Sequence, residues 1–208
     1  MDSKVAFSIE TRNHFLRLAL EALQPCDNHA PDTCIIDLAT RHSLKDILHC
    51  VQRNGHANRF LFIGNAGKYS RVLLPLVTIG SQSSLVDYYD ALRYCPGVTY
   101  DRAMSYLLAL TSMGCFTQKE KKTIYALIRN ETMSDAVREL GVNHKMFYQR
   151  VERLAKRLNM STRLQAHQFF KREFHSDYVQ VKIDEECQFP VSQQPVRGIP
   201  CTIARFGG

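Results

Sequence analysis

The chain has 208 residues, of which 45% are hydrophobic and 23% charged, and it carries a formal net charge of +7. That length suits one domain or two small ones. No apolar run reaches the roughly 18 residues of a membrane span, and "MDSKVAFSIETRNHF" lacks a basic region followed by an apolar one, so no membrane segment and no secretion signal are expected and the chain is expected in the cytoplasm.

Residues 4–9 (KVAFSI) read as a buried strand and 12–24 as a helix, with Phe15, Leu18, Leu20 and Leu23 on its apolar side. Residues 33–39 (TCIIDLA) form a second strand. Residues 43–55 form a helix with a Ser cap, apolar positions at 44, 47, 48 and 51, and a Gly stop. A third strand follows at 59–65 (RFLFIGN). At 72–80 a helix end broken by Pro75 leads into a short strand, and 83–95 is again a helix. Strands alternating with helices predict an α/β domain with a parallel sheet covered on both faces.

Pro96 and Gly97 mark a turn at 94–101, and 102–114 is a helix leading onward. From 116 to 174 the pattern is helical throughout, an all-α unit of four helices. Thr117 caps the first and Glu120 completes a capping box; Ile124, Leu127 and Ile128 are its buried side, and Asn130 is expected to end it in the left-handed conformation. Thr132 or Ser134 caps the second, which buries Ala136, Val137 and Leu140 and stops at Gly141. Asn143 caps the third, whose Phe147, Val151, Leu154 and Leu158 make one apolar stripe. The fourth covers 161–174. Residues 176–208 are expected to be an extended or partly disordered tail, with 178–183 (YVQVKI) a candidate strand. The expected organisation is therefore 1–101, a linker helix at 102–115, a helical domain at 116–175, and the tail.

Seven cysteines, at 26, 34, 50, 95, 115, 187 and 201, include no C-x-x-C pair, so reduced thiols are expected, several of them in the core. His144, His167 and His175 have no Cys or carboxylate at ligand spacing, so neither a metal site nor a cofactor is expected. The charge is more informative. Residues 116–175 hold 13 Lys/Arg against 6 Asp/Glu, and the rest of the chain holds 14 of each, so the whole excess lies in the helical segment. Such a concentration points to a polyanion.

A short helix, a Gly turn and a longer basic helix make a helix-turn-helix, whose second helix enters the major groove of double-stranded DNA. From Phe116 to about His167 the segment resembles the DNA-binding domain of LuxR-type (GerE-type) transcription regulators. Phe116-Thr117 stands where that family has Leu-Thr, and Lys119-Glu120 where it has Arg-Glu. Leu140-Gly141-Val142 matches Leu-Gly-Ile before the turn, Leu158 matches a Lys-Leu, and Arg163, Gln165 and Ala166 match a closing Arg-x-Gln-Ala. Three stretches depart from the pattern: Asn130-Glu131-Thr132, Ala136-Val137 and, in the reading helix, 146–150 (MFYQR).

The resemblance implies a bacterial regulator rather than an enzyme, binding promoter DNA as a homodimer or as a heterodimer with another regulator. By position Tyr148, Gln149 and Glu152 face bases, while Lys145, Arg153 and Lys156 face phosphates; Thr132 and Asn143 belong to the same contact set. Tyr148 has packing beside Phe147 as its alternative role, and Glu152 an intrahelical pair with Lys145 or Lys156. Leu164, His167, Gln168 and Phe169 fall on the helix that resembles the family's dimer helix, or else pack in the core.

Domains of this type often follow a phosphorylation receiver, and auxiliary regulators of capsule and fimbrial genes share this size and plan. Asp37 occupies the phosphoacceptor position. Glu10-Thr11 supplies one carboxylate where two acids belong, Asn65-Ala66 replaces the hydroxyl residue, and Ser81-Gln82 replaces the lysine, so a receiver-like domain without phosphotransfer is expected. The competing reading is an interaction protein that titrates another regulator without reading DNA.

Overall fold

Two patterns build the N-terminal half: short strands apolar on both faces, and helices with one apolar stripe. The computed structural model describes residues 7–24 and 32–188, the side chains of 186–188 excepted. In chain order this half consists of β1 (Phe7–Glu10), α1 (His14–Ala22), β2 (Thr33–Asp37), α2 (Leu44–Arg53), β3 (Arg59–Gly64), α3 (Lys68–Val72), β4 (Val77–Gly80) and α4 (Leu85–Tyr94). Helix α5 (Tyr100–Thr111) leads into α6 (Gln118–Arg129), α7 (Met133–Leu140), α8 (His144–Arg157), α9 (Arg163–Glu173) and α10 (Ser176–Gln188).

The four strands are parallel and lie in the order β1-β2-β3-β4. Every residue of β2 and β3 is buried, as expected for parallel strands covered on both sides. Their side chains alternate between two cores. Cys34, Ile36, Phe60 and Phe62 pack with α2, α3 and α5. Ile35, Leu61, Ile63 and Ile79 pack with Leu20 of α1 and Leu92 of α4. All three connections step across the sheet in one direction, yet α1 lies on the face opposite α2 and α3. The first crossover is therefore of opposite hand to the other two, a rare arrangement in parallel sheets.

Most expected elements shorten to their caps. Asn13, Ser43 and Ser84 accept backbone N–H bonds at the starts of α1, α2 and α4. Residues 4–6 of the first expected strand lie outside the described residues. Pro75 sits in the 3-10 turn Leu74–Leu76 between α3 and β4. The expected turn at 94–101 also extends the sheet: Phe60 and Val98 exchange N–H···O bonds of 2.8 Å. Gly97 has φ +67°, and a Cβ there would stand 2.9 Å from the Phe60 carbonyl.

Three expectations need correction. Helix α5 is not a mere linker: Ala103, Leu107 and Leu110 are buried, and the core it joins runs from Phe60 and Phe62 through Met113 and Phe116 to Ile124, Phe147 and Phe170. Asn130 ends α6 in extended conformation (φ −96°, ψ 147°), held because its side-chain amide donates to Ala126 O and Glu139. Residues 176–188 are helical, neither strand nor extended tail. Val179 and Ile183 recur at i, i+4 and are buried against α6, while Gln118 Nε2 donates to Ile183 O at 2.9 Å. The remaining tail, 189–208, lies outside the described residues.

Candidate nucleic-acid interface

The α7–α8 pair is set by its turn chemistry. Thr132 caps α7, its hydroxyl accepting from Asp135 N–H at 3.2 Å and donating to Asp135 Oδ2 at 2.6 Å. Gly141 ends the helix with φ +60°, a region open to glycine without a Cβ penalty. Asn143 then caps α8, Oδ1 accepting from Met146 N–H at 2.7 Å. Thr132, rather than Ser134, is the cap, and both Thr132 and Asn143 spend their side-chain oxygens on the helices they start.

Phe147, Val151, Leu154 and Ala155 bury one side of α8 against α6 and α9. Full burial of each large side chain contributes roughly 1.5–3 kcal/mol, which fixes the rotation of the helix. The opposite side carries Lys145, Gln149, Glu152, Arg153 and Lys156, all exposed except half-buried Glu152. Among the described residues, nothing buries Lys145, Gln149, Arg153 or Lys156. Glu152 Oε1 lies 3.8 Å from Lys156 Nζ in the favoured i, i+4 order. Arg153 Nε reaches back to Gln149 O at 3.4 Å.

Tyr148 departs from the base-facing expectation. It is half-buried at the flank of the face, edge-on to Phe147, with the Arg163 guanidinium 4.7 Å above its ring. Met146 was missed by sequence reasoning and is 46% exposed on the outward side, because its neighbour Phe147 takes the inward position. A helical wheel of α8 alone carries that signal.

The ends of α8 are braced. Glu120 completes the capping box at Thr117 and also receives Arg157 Nη1 at 2.8 Å, so one carboxylate ties the start of α6 to the end of α8. Asn159 turns the chain at φ +55°, and its side-chain amide donates to Arg71 O in α3 at 3.1 Å. Arg71 in turn bonds Ser161. At the far end of α9, Glu173 accepts from Leu44 N–H at 2.8 Å and from Tyr69 O–H at 2.6 Å. Burial, with the Glu173 bond, raises the Tyr69 hydroxyl above its ordinary value. The helical half is thus held against α2 and α3, and among the described residues the outward side of α8 stays exposed.

The expected dimer residues of α9 divide. Leu164 is 60% exposed and Gln168 is exposed. Phe169 is buried at 1% exposure against Phe170, which removes it from any outer surface. His167 Nε2 bonds Leu127 O at 3.0 Å; burial, then the charge of Lys171, lowers its proton affinity. Phe169 is core and His167 half-buried, because α9 presents one side inward.

At the carboxyl edge of the sheet the acids are already partnered. Asp37 is buried, Oδ2 accepting from Thr11 O–H at 2.8 Å and Oδ1 from Ala39 N–H at 3.0 Å. It closes the second of four strands and caps the 3-10 turn behind it. Glu10 receives Arg53 Nη2 at 2.7 Å and Asn54 Nδ2 at 3.0 Å, with buried Arg41 at 3.8 Å. Burial alone would raise its carboxyl, but the Arg53 and Asn54 bonds and the guanidinium charges outweigh it and hold the group below 4.5. Arg53 and Arg41 already surround Glu10, and among the described residues no group of three or more His, Cys, Asp or Glu side chains is placed to hold a metal ion.

The described residues form a four-stranded parallel α/β layer joined through a shared core to a helical unit that presents a basic helix outward. No helix among the described residues is long and apolar enough to cross a membrane. No protein-family model matches the chain, and a search of curated proteins returns no significant match.

Proposed function

We propose that this chain is a bacterial, cytoplasmic transcription regulator that binds double-stranded DNA through a LuxR-type helix-turn-helix, α7–Gly141–α8, as a homodimer or a heterodimer with another regulator. The observation that carries the reading is the outward side of α8, where Lys145, Gln149, Arg153 and Lys156 are exposed among the described residues. A single helix fits the major groove, which is about 12 Å wide. Gln149 is the base-reading side chain; Lys145, Arg153 and Lys156 contact phosphates, fixing register without specifying sequence.

The N-terminal half is receiver-like and works without phosphorylation. Its strand order supports this. Removing the edge strand from a doubly wound 2-1-3-4-5 sheet leaves a sequential order with the first and last helices on one face and the middle ones on the other. That is the arrangement of α1 and α4 against α2 and α3, and it accounts for the crossover of unusual hand. Asp37, bonded to Thr11 and Ala39, serves as a cap, so the protein is a switchless binder rather than a phosphotransfer enzyme.

The test is binding to duplex DNA across a salt series. Affinity should fall linearly on log–log axes, with a slope near −0.9 for each phosphate neutralised. Incubation with a small phosphodonor and Mg²⁺ should leave the mass unchanged. A salt-independent signal, or none on any genomic fragment, would refute the DNA reading, and a phosphate adduct on Asp37 would refute the other half.

A further inference from the structure

The carboxyl edge of the sheet opens into a cavity at the ends of β3 and β4. Gly64 and Gly80 end these strands and are register partners. Side chains alternate along a strand, and Ile63 and Ile79, one position earlier, pack on the α1 and α4 side, so both glycines turn their bare side toward α3. At Gly64 that space is taken: a Cβ would stand 2.7 Å from Val77 Cγ1. At Gly80 it is open, and the only atom a Cβ would meet within 4 Å among the described residues is Ser83 Oγ, at 3.4 Å. The result is a cavity of about 640 Å³ between the strand ends, α3 and the turn after α8, where Asn159 reaches it. Ligand cavities commonly measure about 300–1,000 Å³, and in open α/β sheets they lie outside the carboxyl ends of the strands.

The lining has an apolar wall and a rim rich in donors. Leu74, 55% exposed, and Val77 form the wall. On the rim, Asn65 Oδ1 accepts from Gly67 N–H at 2.8 Å and from the Ser70 hydroxyl at 2.9 Å, which fixes the amide and leaves Nδ2 as its spare donor. Ser81 and Gln82, just past β4, add an exposed hydroxyl and a second exposed amide. Arg71 is the only charged residue of the described lining. Its Nε donates to Ala66 O at 3.1 Å and its Nη1 to Ser161, while Nη2 has no hydrogen-bond partner among the described residues. A guanidinium with no acid beside it in the lining favours an anion, and its planar fork matches a carboxylate. One cation balances one negative charge, so wall and rim together fit a monocarboxylate rather than a doubly charged phosphate.

We propose that this cavity binds a small organic acid with one carboxylate on an apolar body, the carboxylate against Arg71 and the Asn65 amide, the body along Leu74 and Val77. The site is separate from Asp37, which closes β2, is buried and does not line the cavity. Asn159 donates its amide to Arg71 O at 3.1 Å, so the acid lies beside the bond that ties the end of α8 to α3. Binding of the acid is independent of whether α8 reads DNA.

Fluorescence anisotropy of 2-naphthoate titrated with the full chain tests the site, since the chain has no tryptophan to overlap the probe. Binding should saturate with a dissociation constant at or below about 1 mM. The neutral 2-naphthamide should bind at least about fivefold more weakly. Arg71→Met should weaken 2-naphthoate about tenfold or more and 2-naphthamide less than about threefold, a charge-selective loss that damage to the fold does not produce. Gly80→Leu should fill the cavity and weaken both probes at least about tenfold, with the thermal midpoint within about 3 °C of the unaltered chain. If Gly80→Leu does not fold, the comparison of the two probes on Arg71→Met carries the test. No saturable binding, equal affinity for acid and amide, or binding indifferent to Arg71→Met or to a folded Gly80→Leu would each overturn the proposal. A chain that binds 2-naphthoate and ignores duplex DNA would refute only the regulator reading.

Discussion

Glu152 is the only acidic residue of α8 and stands on its outward face, so Glu152→Gln tests the sorting of contacts on that helix. Its carboxylate holds Lys156 at 3.8 Å, with side-chain exposures of 46% and 74%. Two unit charges at about 4 Å in bulk water attract by about 1 kcal/mol, and exposed pairs measured by double-mutant cycles contribute 0.2–1 kcal/mol. Removing the pair therefore changes stability by less than about 1 kcal/mol while releasing Lys156 to a phosphate and deleting one repulsion. Affinity for a duplex of arbitrary sequence should rise about two- to fivefold at low salt, and the log–log salt slope should steepen by up to about one. If Glu152 also accepts from a cytosine amino group, the gain turns into a loss at one position of the preferred site only. Fluorescence anisotropy of labelled duplexes over a sodium chloride series measures both. Weaker binding to every duplex, or an unchanged affinity and slope, would refute the placement of this face against DNA.

Gly141→Ala should destabilise the chain by about 1–2 kcal/mol from left-handed backbone alone, since nothing lies within 4 Å of the added Cβ; Gly97→Ala, which also meets Phe60 O at 2.9 Å, should unfold at lower denaturant, and the reverse order would contradict the turn geometry. Glu10 has a folded proton affinity below the ordinary carboxylate value of 4.5, so its stabilisation is present at neutral pH and lost as pH falls through the folded value. Glu10→Gln should accordingly lower stability at pH 7 and flatten the acid limb of the stability curve, and an unchanged acid limb would remove Glu10 from that role.

Local chemistry was legible in the sequence wherever one residue decides one backbone feature. Thr117 with Glu120, Ser43, Asn143 and Gly141 are cap or stop signals and act as such. The stripe Phe147, Val151, Leu154, Leu158 faces the core because helical spacing admits no other side. The alternation of "YVQVKI" gave the wrong period: Val181 is exposed, and only Val179 and Ile183 find α6. Asn130 has left-handed tolerance as a residue type, but Glu139, nine positions on, holds its side chain in the extended turn instead.

The sequence by itself determined the order of strands and helices, the caps, the concentration of positive charge and which side of α8 packs, because each depends on neighbours within about a turn. Tertiary structure alone decided which side chains that charge leaves free. Arg163, fifteen residues on, covers Tyr148; Glu120 engages Arg157 across two helices; Phe169 turns inward while Leu164 stays out. It also decided that α1 lies on the far face of the sheet from α2, with exposed apolar residues among the described ones, since the face a helix takes depends on the order and twist of the whole sheet and not on the residues of that helix alone.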